Sequence, residues 1–226
     1  EDLLQQKEGS DFVNTHRNAL DLQTDFSAAG QQITLGTMMT QENARALSFG
    51  MPFDVDTSVY MGYAQDHLSH GPHDLLLAVG YTSHDTFGSQ LTWNAEYGHR
   101  FGSATRVALA AGTAFHAPDA TDRFGYGGNP ALRPEFSRQI ELTLRRSISA
   151  RHEVLLSAFR NEINDLISFQ VTDPETFDGR NENIERALLR GIELGYTFRG
   201  EHWQVRAETA FTDPRDRLTG ERLLRR

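Results

Sequence analysis

The 226-residue chain contains no cysteine. That excludes a disulfide framework and a thiolate metal site, while fitting many compartments. No run of apolar residues approaches the roughly 18 that a spanning helix needs. Hydrophobic residues make up only 38% of the sequence, against ~45–50% for an ordinary globular domain when glycine is counted. The 19 glycines narrow that gap without closing it. Mean hydropathy is −0.52. None of this excludes a membrane, because a transmembrane β-barrel alternates lipid-facing and lumen-facing residues and so averages low. Positive charge is also in deficit: 22 Lys and Arg stand against 31 Asp and Glu, a net charge of −9. A nucleic-acid partner would favour a basic patch, so none is expected. G-x-S-x-G, H-E-x-x-H and P-loop motifs are absent. Asp119 and Asp122 fall in a stretch read as solvated loop, and nothing points to an enzyme.

What the chain does have is a period of two. Ile140, Leu142 and Leu144 alternate with polar residues, as do Leu75, Leu77, Val79 and Tyr81. Leu91, Trp93, Ala95 and Tyr97 repeat the pattern, followed by Ile192, Leu194, Tyr196 and Phe198, then Trp203, Val205, Ala207, Thr209 and Phe211. Such alternation marks strands with one apolar and one polar face. It predicts ten strands near residues 17–26, 31–41, 58–67, 74–83, 89–99, 105–115, 136–147, 152–170, 185–198 and 202–211. Short turns are expected at Ala28-Ala29-Gly30, Gly71-Pro72, Phe101-Gly102-Ser103, Ser149-Ala150 and Arg199-Gly200-Glu201. Longer loops are expected at 42–57, 116–135, 171–184 and 212–223. Turns at one rim and loops at the other describe an all-β, antiparallel, up-and-down transmembrane barrel segment. Aromatics near strand ends, among them Tyr60, Tyr97, Phe101 and Trp203, suit the girdles of such a barrel. A soluble carbohydrate-binding β-sandwich shows the same period, with its apolar faces packed together instead. A propeller would repeat every 40–50 residues or so, and no such repeat is present. The chain opens on Glu1 without Met or signal peptide and ends on Leu223-Leu224-Arg225-Arg226 as an apolar pattern resumes. Both ends suggest a piece of a longer protein.

One loop stands apart. GTAFHAPDATDRFGYGGNPALRPE, Gly112 to Glu135, carries glycine, proline and aromatics but almost no aliphatic residues. Proline at 118 ends the preceding strand by removing a ladder donor. Glycines 125, 127 and 128 allow left-handed backbone, and Asn129-Pro130 and Arg133-Pro134 stiffen the return. The stretch resembles the barrel signature of TonB-dependent outer-membrane receptors, in which Gly-Thr-x-Phe-x-Ala-Pro ends a strand and Gly-Asn-Pro-x-Leu-x-Pro-Glu begins the next. The segments SAFRNEINDLISF (Ser157–Phe169) and NIERALLRGIELGYTF (Asn183–Phe198) extend the likeness. DTFGSQLTWNAEYGHRF (Asp85–Phe101) and the terminal LLRR are most similar to the cobalamin branch.

The resemblance implies that residues 1–226 are part of a barrel of about 22 strands in the bacterial outer membrane, in contact with its lipid. The plug domain and the terminal strands would be absent. It implies a transporter of cobalamin, or alternatively of a siderophore or haem, driven by the TonB energy-coupling protein through the plug. Arg225 is the residue to which it assigns ligand contact, and Arg226 would point the opposite way by strand alternation. Phe124 and Tyr126 are expected over the barrel mouth, where they contact ligand or pack the loop upon itself. The plainer reading of Arg225 is a rim arginine paired to Asp213 or Asp216. No resident cofactor is expected. The resemblance implies that any calcium of the full-length protein would take its ligands upstream of this segment, so Asp54/Asp56 and Asp213/Asp216 are not assigned to it. His67, His70 and His73 straddle a turn, and a metal site there is disfavoured.

Overall fold

Ten strands build nearly all of the chain in a computed structural model that describes residues 11–176 and 178–223. They are β1 (Phe12–Ala28), β2 (Gln31–Ser48), β3 (Met51–His70), β4 (His73–His84) and β5 (Gly88–Phe101). Then follow β6 (Thr105–His116), β7 (Glu135–Ser149), β8 (His152–Asp173), β9 (Asp178–Arg199) and β10 (Gln204–Asp216). One short helix, α1 (Ala120–Phe124), interrupts them between β6 and β7. Each strand pairs antiparallel with its successor, giving a single ten-stranded meander with β1 and β10 at its edges. The expected up-and-down sheet is therefore present.

Residues opposite each other on paired strands project to the same side of a sheet. Phe211 opposes Ile192, and the same row continues through Ala158, Leu142, Leu109, Tyr97 and Leu75. The neighbouring row, on the other side, holds Glu193, Ser157, Thr143, Ala108, Gly98 and Asp74. Val205, Leu194 and Ile140 fall on the apolar side, and Arg206, Glu208 and Glu141 on the polar side. Trp203 lies just before β10, its ring 4.9 Å from that of Phe198.

The two sides solve different problems. On the apolar side Trp93 is 46% exposed, Leu142 51% and Ile192 52%. Leaving apolar area in water costs about 25 cal/mol per Å², and hydrocarbon removes that cost. On the polar side, Arg106 reaches Glu96 at 2.7 Å and Asp74 at 3.8 Å, and Thr143 shares a hydrogen bond of 3.1 Å with Ser157. Among the described residues no second sheet packs against either face. The two-layer packing of a soluble sandwich is not the arrangement of these strands.

Three expected loops are corrected. Residues 42–57 are strand: β2 and β3 run on to a turn at Phe49-Gly50, where φ is +48° and +80°. Residues 171–184 are largely strand too, since β8 continues to Asp173 and β9 begins at Asp178. Within 212–223, β10 extends to Asp216, and Arg215 bridges back to Arg222. The apolar alternation stops in these stretches because both faces are solvated above a lipid band, yet the ladder continues. Polar cross-strand pairs replace the apolar ones: Asn43 donates to Asp54 and Asp56 at 2.8 and 3.0 Å, and Arg17 donates to Glu42 at 2.7 Å. Among the described residues, 117–134 is the one long connection outside the strands, with α1 inside it. The histidine triplet divides between faces, with His67 opposite Leu76 on the polar side and His70 opposite His73 on the apolar side.

The facing has a direct test, since the chain has no cysteine of its own. In the whole protein in lipid, a fluorophore on Leu142→Cys should be quenched strongly by brominated acyl chains. The same probe on Glu141→Cys should be quenched at least several-fold less. Equal quenching at both sites would remove the assignment of faces.

Candidate functional site at the long-loop rim

The loop after β6 turns inward. Asp119 starts α1 with a capping box: its carboxylate accepts the Asp122 N–H at 2.7 Å, and the Asp122 carboxylate accepts the Asp119 N–H at 3.1 Å. Ala120 and Phe124 then pack against a small core of Ala44, Ala46 and Phe53. By register these three belong to the polar, inward side of β2 and β3. The loop thus reaches from β6 back across the inner face to a ribbon three strands away. Arg123 stacks over the rings of Phe87 at 5.3 Å and Phe124 at 4.7 Å.

The second half of the loop is fastened to the β8–β9 ribbon. Asn129 donates its side-chain amide to the Asn181 carbonyl at 3.0 Å, and Asn181 returns one to the Asp122 carbonyl at 3.1 Å. Asn183 pairs both ways with the Arg133 backbone, 2.9 Å each, and the Glu135 carboxylate accepts the Ile167 N–H at 2.7 Å. Gly127 sits at φ +64°, and a Cβ there would lie 2.5 Å from a ring carbon of Phe169, so only glycine fits.

Asp165 anchors the ribbon. It is a non-glycine residue at φ +57°, in a conformation that Asp tolerates better than most side chains. Strict alternation would separate residues three apart, yet Ile163 and Leu166 share one buried cluster with Ala187. The left-handed step between them reverses the phase. The Asp165 carboxylate is also held by the Arg133 guanidinium, whose Nε donates at 3.0 Å. The Asn-Pro-x-Leu-Arg-Pro-Glu stretch and the Ile-x-Asp-Leu-Ile stretch are two halves of one joint.

The candidate site residues can now be placed. Phe124 is half-buried, its ring 6.5 Å from Phe53. Tyr126 is exposed and lies between Phe49, at 4.9 Å, and Phe169, at 6.3 Å. Its hydroxyl donates to Asp178 at 3.0 Å, a bond that raises its pKa above the usual tyrosine range. The three rings join the β2–β3 turn, the loop and the β8–β9 ribbon. Arg225 and Arg226 lie outside the described residues. Asp213, one of the two carboxylates named in the plainer reading of Arg225, is held by Arg190 at 2.9 Å and Arg215 at 3.0 Å. Below the loop, a polar groove of about 340 Å³ on the inner face is lined by Asn94, Glu96, Ser137, Gln139 and Glu141. Among the described residues no three His, Asp or Glu side chains converge as metal ligands, and no helix is long and apolar enough to cross a membrane. The Phe49 and Phe169 contacts and α1 were not foreseen. The Asp119-x-x-Asp122 spacing was the signal for the helix.

An antiparallel meander with an apolar outside, a polar inside and a loop folded over its inner face defines the wall of an outer-membrane receptor barrel. The chain belongs to the TonB-dependent receptor-like β-barrel family, whose match spans residues 4–225. Its strands cross the bacterial outer membrane. Among curated relatives it is similar to the vitamin B12 transporter BtuB of Vibrio vulnificus, 30% identical over 165 residues, which is 73% of this chain and 27% of that protein. It is also similar to the vitamin B12 transporter BtuB of Photobacterium profundum, 29% identical over 155 residues, 66% of the chain and 25% of the relative. The chain thus spans about a quarter of these relatives' length. Among solved structures, the ferric enterobactin receptor PfeA of Pseudomonas aeruginosa shares the fold with a TM-score of 0.76 at 15% identity, covering 92% of this chain and 37% of that one. The copper transporter OprC does so with a TM-score of 0.74 at 14% identity, covering 94% and 39%.

Two predictions follow from the loop. Asp165→Val should destabilise the rim by about 1–2 kcal/mol, because a β-branched residue resists the left-handed conformation. Hydrogen exchange of the Asn129–Glu135 amides should accelerate accordingly, and unchanged protection would overturn the role given to Asp165. Burial pushes the Asp122 carboxyl above the ordinary carboxylate range. A carboxylate whose folded pKa is raised disfavours the folded loop above that value. The disfavour is relieved as pH falls through it toward the ordinary value near ~4. Protection of the α1 amides should therefore rise on mild acidification, and Asp122→Asn should abolish that pH dependence.

Proposed function

We propose that this chain forms part of the barrel of a TonB-dependent transporter that takes up cobalamin, and is not an enzyme. The observation that carries the reading is the 165-residue similarity at 30% identity to a vitamin B12 transporter. The likeness to siderophore-receptor and copper-transporter structures, at 14–19% identity, bears on fold alone. A siderophore or haem receptor is the alternative within the class.

In this reading residues 1–226 are part of one barrel domain, and the rest of the whole protein supplies its remaining strands and the plug that meets the TonB energy-coupling protein. The polar groove and the ion pairs around Arg106 line the surface a plug would occupy. Capture takes place at the rim, where Arg225 offers several donors to the amide-rich, phosphate-bearing edge of cobalamin. Tyr126 offers an exposed ring above the inner face, and Phe124 holds α1 beneath it. No cofactor resides in this segment, and any calcium is bound by ligands elsewhere in the protein.

Cobalamin titration of the purified whole receptor tests the assignment. Losing a charged hydrogen bond costs roughly 1.5–3 kcal/mol, so Arg225→Ala should weaken binding about ten- to a hundredfold. Arg226→Ala should matter less. Parent-like affinity for Arg225→Ala would return that residue to a rim ion pair. No cobalamin binding by the parent would overturn the ligand itself and favour an iron chelate.

A further inference from the structure

We propose that the outward face of β4 and β5, at the short-turn rim, carries a capture site for a divalent transition-metal ion of the copper(II) class, built from His73, His99 and Tyr97. Register brings the three together from two strands. His73 opens β4 directly opposite His99 on β5, and Leu75 stands opposite Tyr97 one step along the same face. The Nδ1 atoms of His73 and His99 are 3.3 Å apart, and the Tyr97 hydroxyl is 2.7 Å from His73 Nδ1. Two nitrogens held at about 2.0–2.1 Å by one ion stand about 2.9–3.4 Å apart, at right-angle or tetrahedral disposition. The pair is therefore already at chelating separation. His73 and Tyr97 are exposed, so an ion in water can reach them. In an outer-membrane barrel the short-turn rim faces the periplasm. The turn triplet of the sequence does not form this site: His67 projects to the inner side, while His70 opposes His73 and extends the outward row.

The sheet holds its own comparison. His152 opens β8 as His73 opens β4, and its Nδ1 lies 2.7 Å from the Tyr196 hydroxyl. The opposing residue there is Phe198 rather than a histidine, and the rings of His152 and Phe198 pack at 4.8 Å. A histidine–tyrosine hydrogen bond is thus a complete arrangement in this wall without a second imidazole. With His99 present, His73 Nδ1 meets two polar atoms, although one ring nitrogen has a single lone pair or a single hydrogen to offer. An ion at that point takes a lone pair from each of the three atoms. Imidazole nitrogen suits copper(II), whereas calcium and magnesium take carboxylate, carbonyl and water oxygens. Binding needs both imidazoles neutral. The Tyr97 O–H bond breaks as its oxygen bonds the ion, and the proton passes to water. Water fills the remaining positions. With so few protein donors the ion exchanges with solvent, and it is not a resident cofactor.

Copper(II) titration of the purified whole receptor, untagged and stripped with chelator, tests the site. Calorimetry reads the stoichiometry, and visible absorption reads a phenolate-to-copper band. His73→Asn and His99→Asn should each bind one equivalent fewer than the parent and lose the band. Tyr97→Phe should keep the equivalent without the band. His152→Asn should match the parent in both. Cobalamin affinity should be the same in all of them, so the result stands apart from the ligand assignment. Heat-dependent gel migration reports folding. Where the histidine variants lose the fold, Phe198→His should instead gain one equivalent beside His152 and Tyr196, and no gain in that folded receptor would overturn the proposal. Parent-like stoichiometry in folded His99→Asn, an equal loss in His152→Asn, or a band that survives Tyr97→Phe would overturn it as well.

Discussion

Everything in this molecule depends on backbone hydrogen bonds that close between neighbouring strands. Inside a bilayer no water satisfies a stray N–H or carbonyl, so a spanning sheet pairs every group with its neighbours. A strand so committed has two faces and no third option. The sequence assigns hydrocarbon-compatible residues to one and polar residues to the other, and little buried core is left to build. Among the described residues the largest fully buried side chain is Leu166, at the rim rather than in the span.

That arrangement shifts the burden of specificity to the rim. There the described residues make two small cores, around Phe53 and around Leu166, and both are completed by residues from other elements. The long loop is irregular because it serves two ribbons at once. Its first half caps a helix turn against β2 and β3, and its second half is laced to β8 and β9 through Asn129, Asn181 and Asn183. Loops on a rigid scaffold commonly carry binding. Here the rigidity extends into the loop, which leaves Tyr126 exposed on a braced support.

The outward ion pairs of β8–β10 and the inner polar groove show one strand set addressing two environments. Arg106 and Glu96 neutralise each other toward the lumen, whereas Arg160 and Arg190 share carboxylates already claimed by a second guanidinium. The charge balance of the whole chain conceals this. A net acidic protein can hold a locally basic surface when alternation sorts its charges by face.

Alternation determined the strands and the sides to which Leu142 and Glu141 project, because a period of two leaves a pleated strand no other choice, and the short turns between strands gave their up-and-down order. The short turns were equally legible at Gly30, Gly71 and Gly102, where a positive φ calls for glycine. The upper reaches of β2–β3 and β8–β9 were not legible. Above the lipid both faces are wet, so residues such as Gln41, Glu42 and Asn43 look like loop although their ladder persists. The joint at Asp165 was visible as a motif, but its meaning was not. Reversing the side-chain phase takes a left-handed residue, and what rewards that step is the burial of Leu166 beside Ile163 and Ala187. That contact exists only once the strands and the loop have come together.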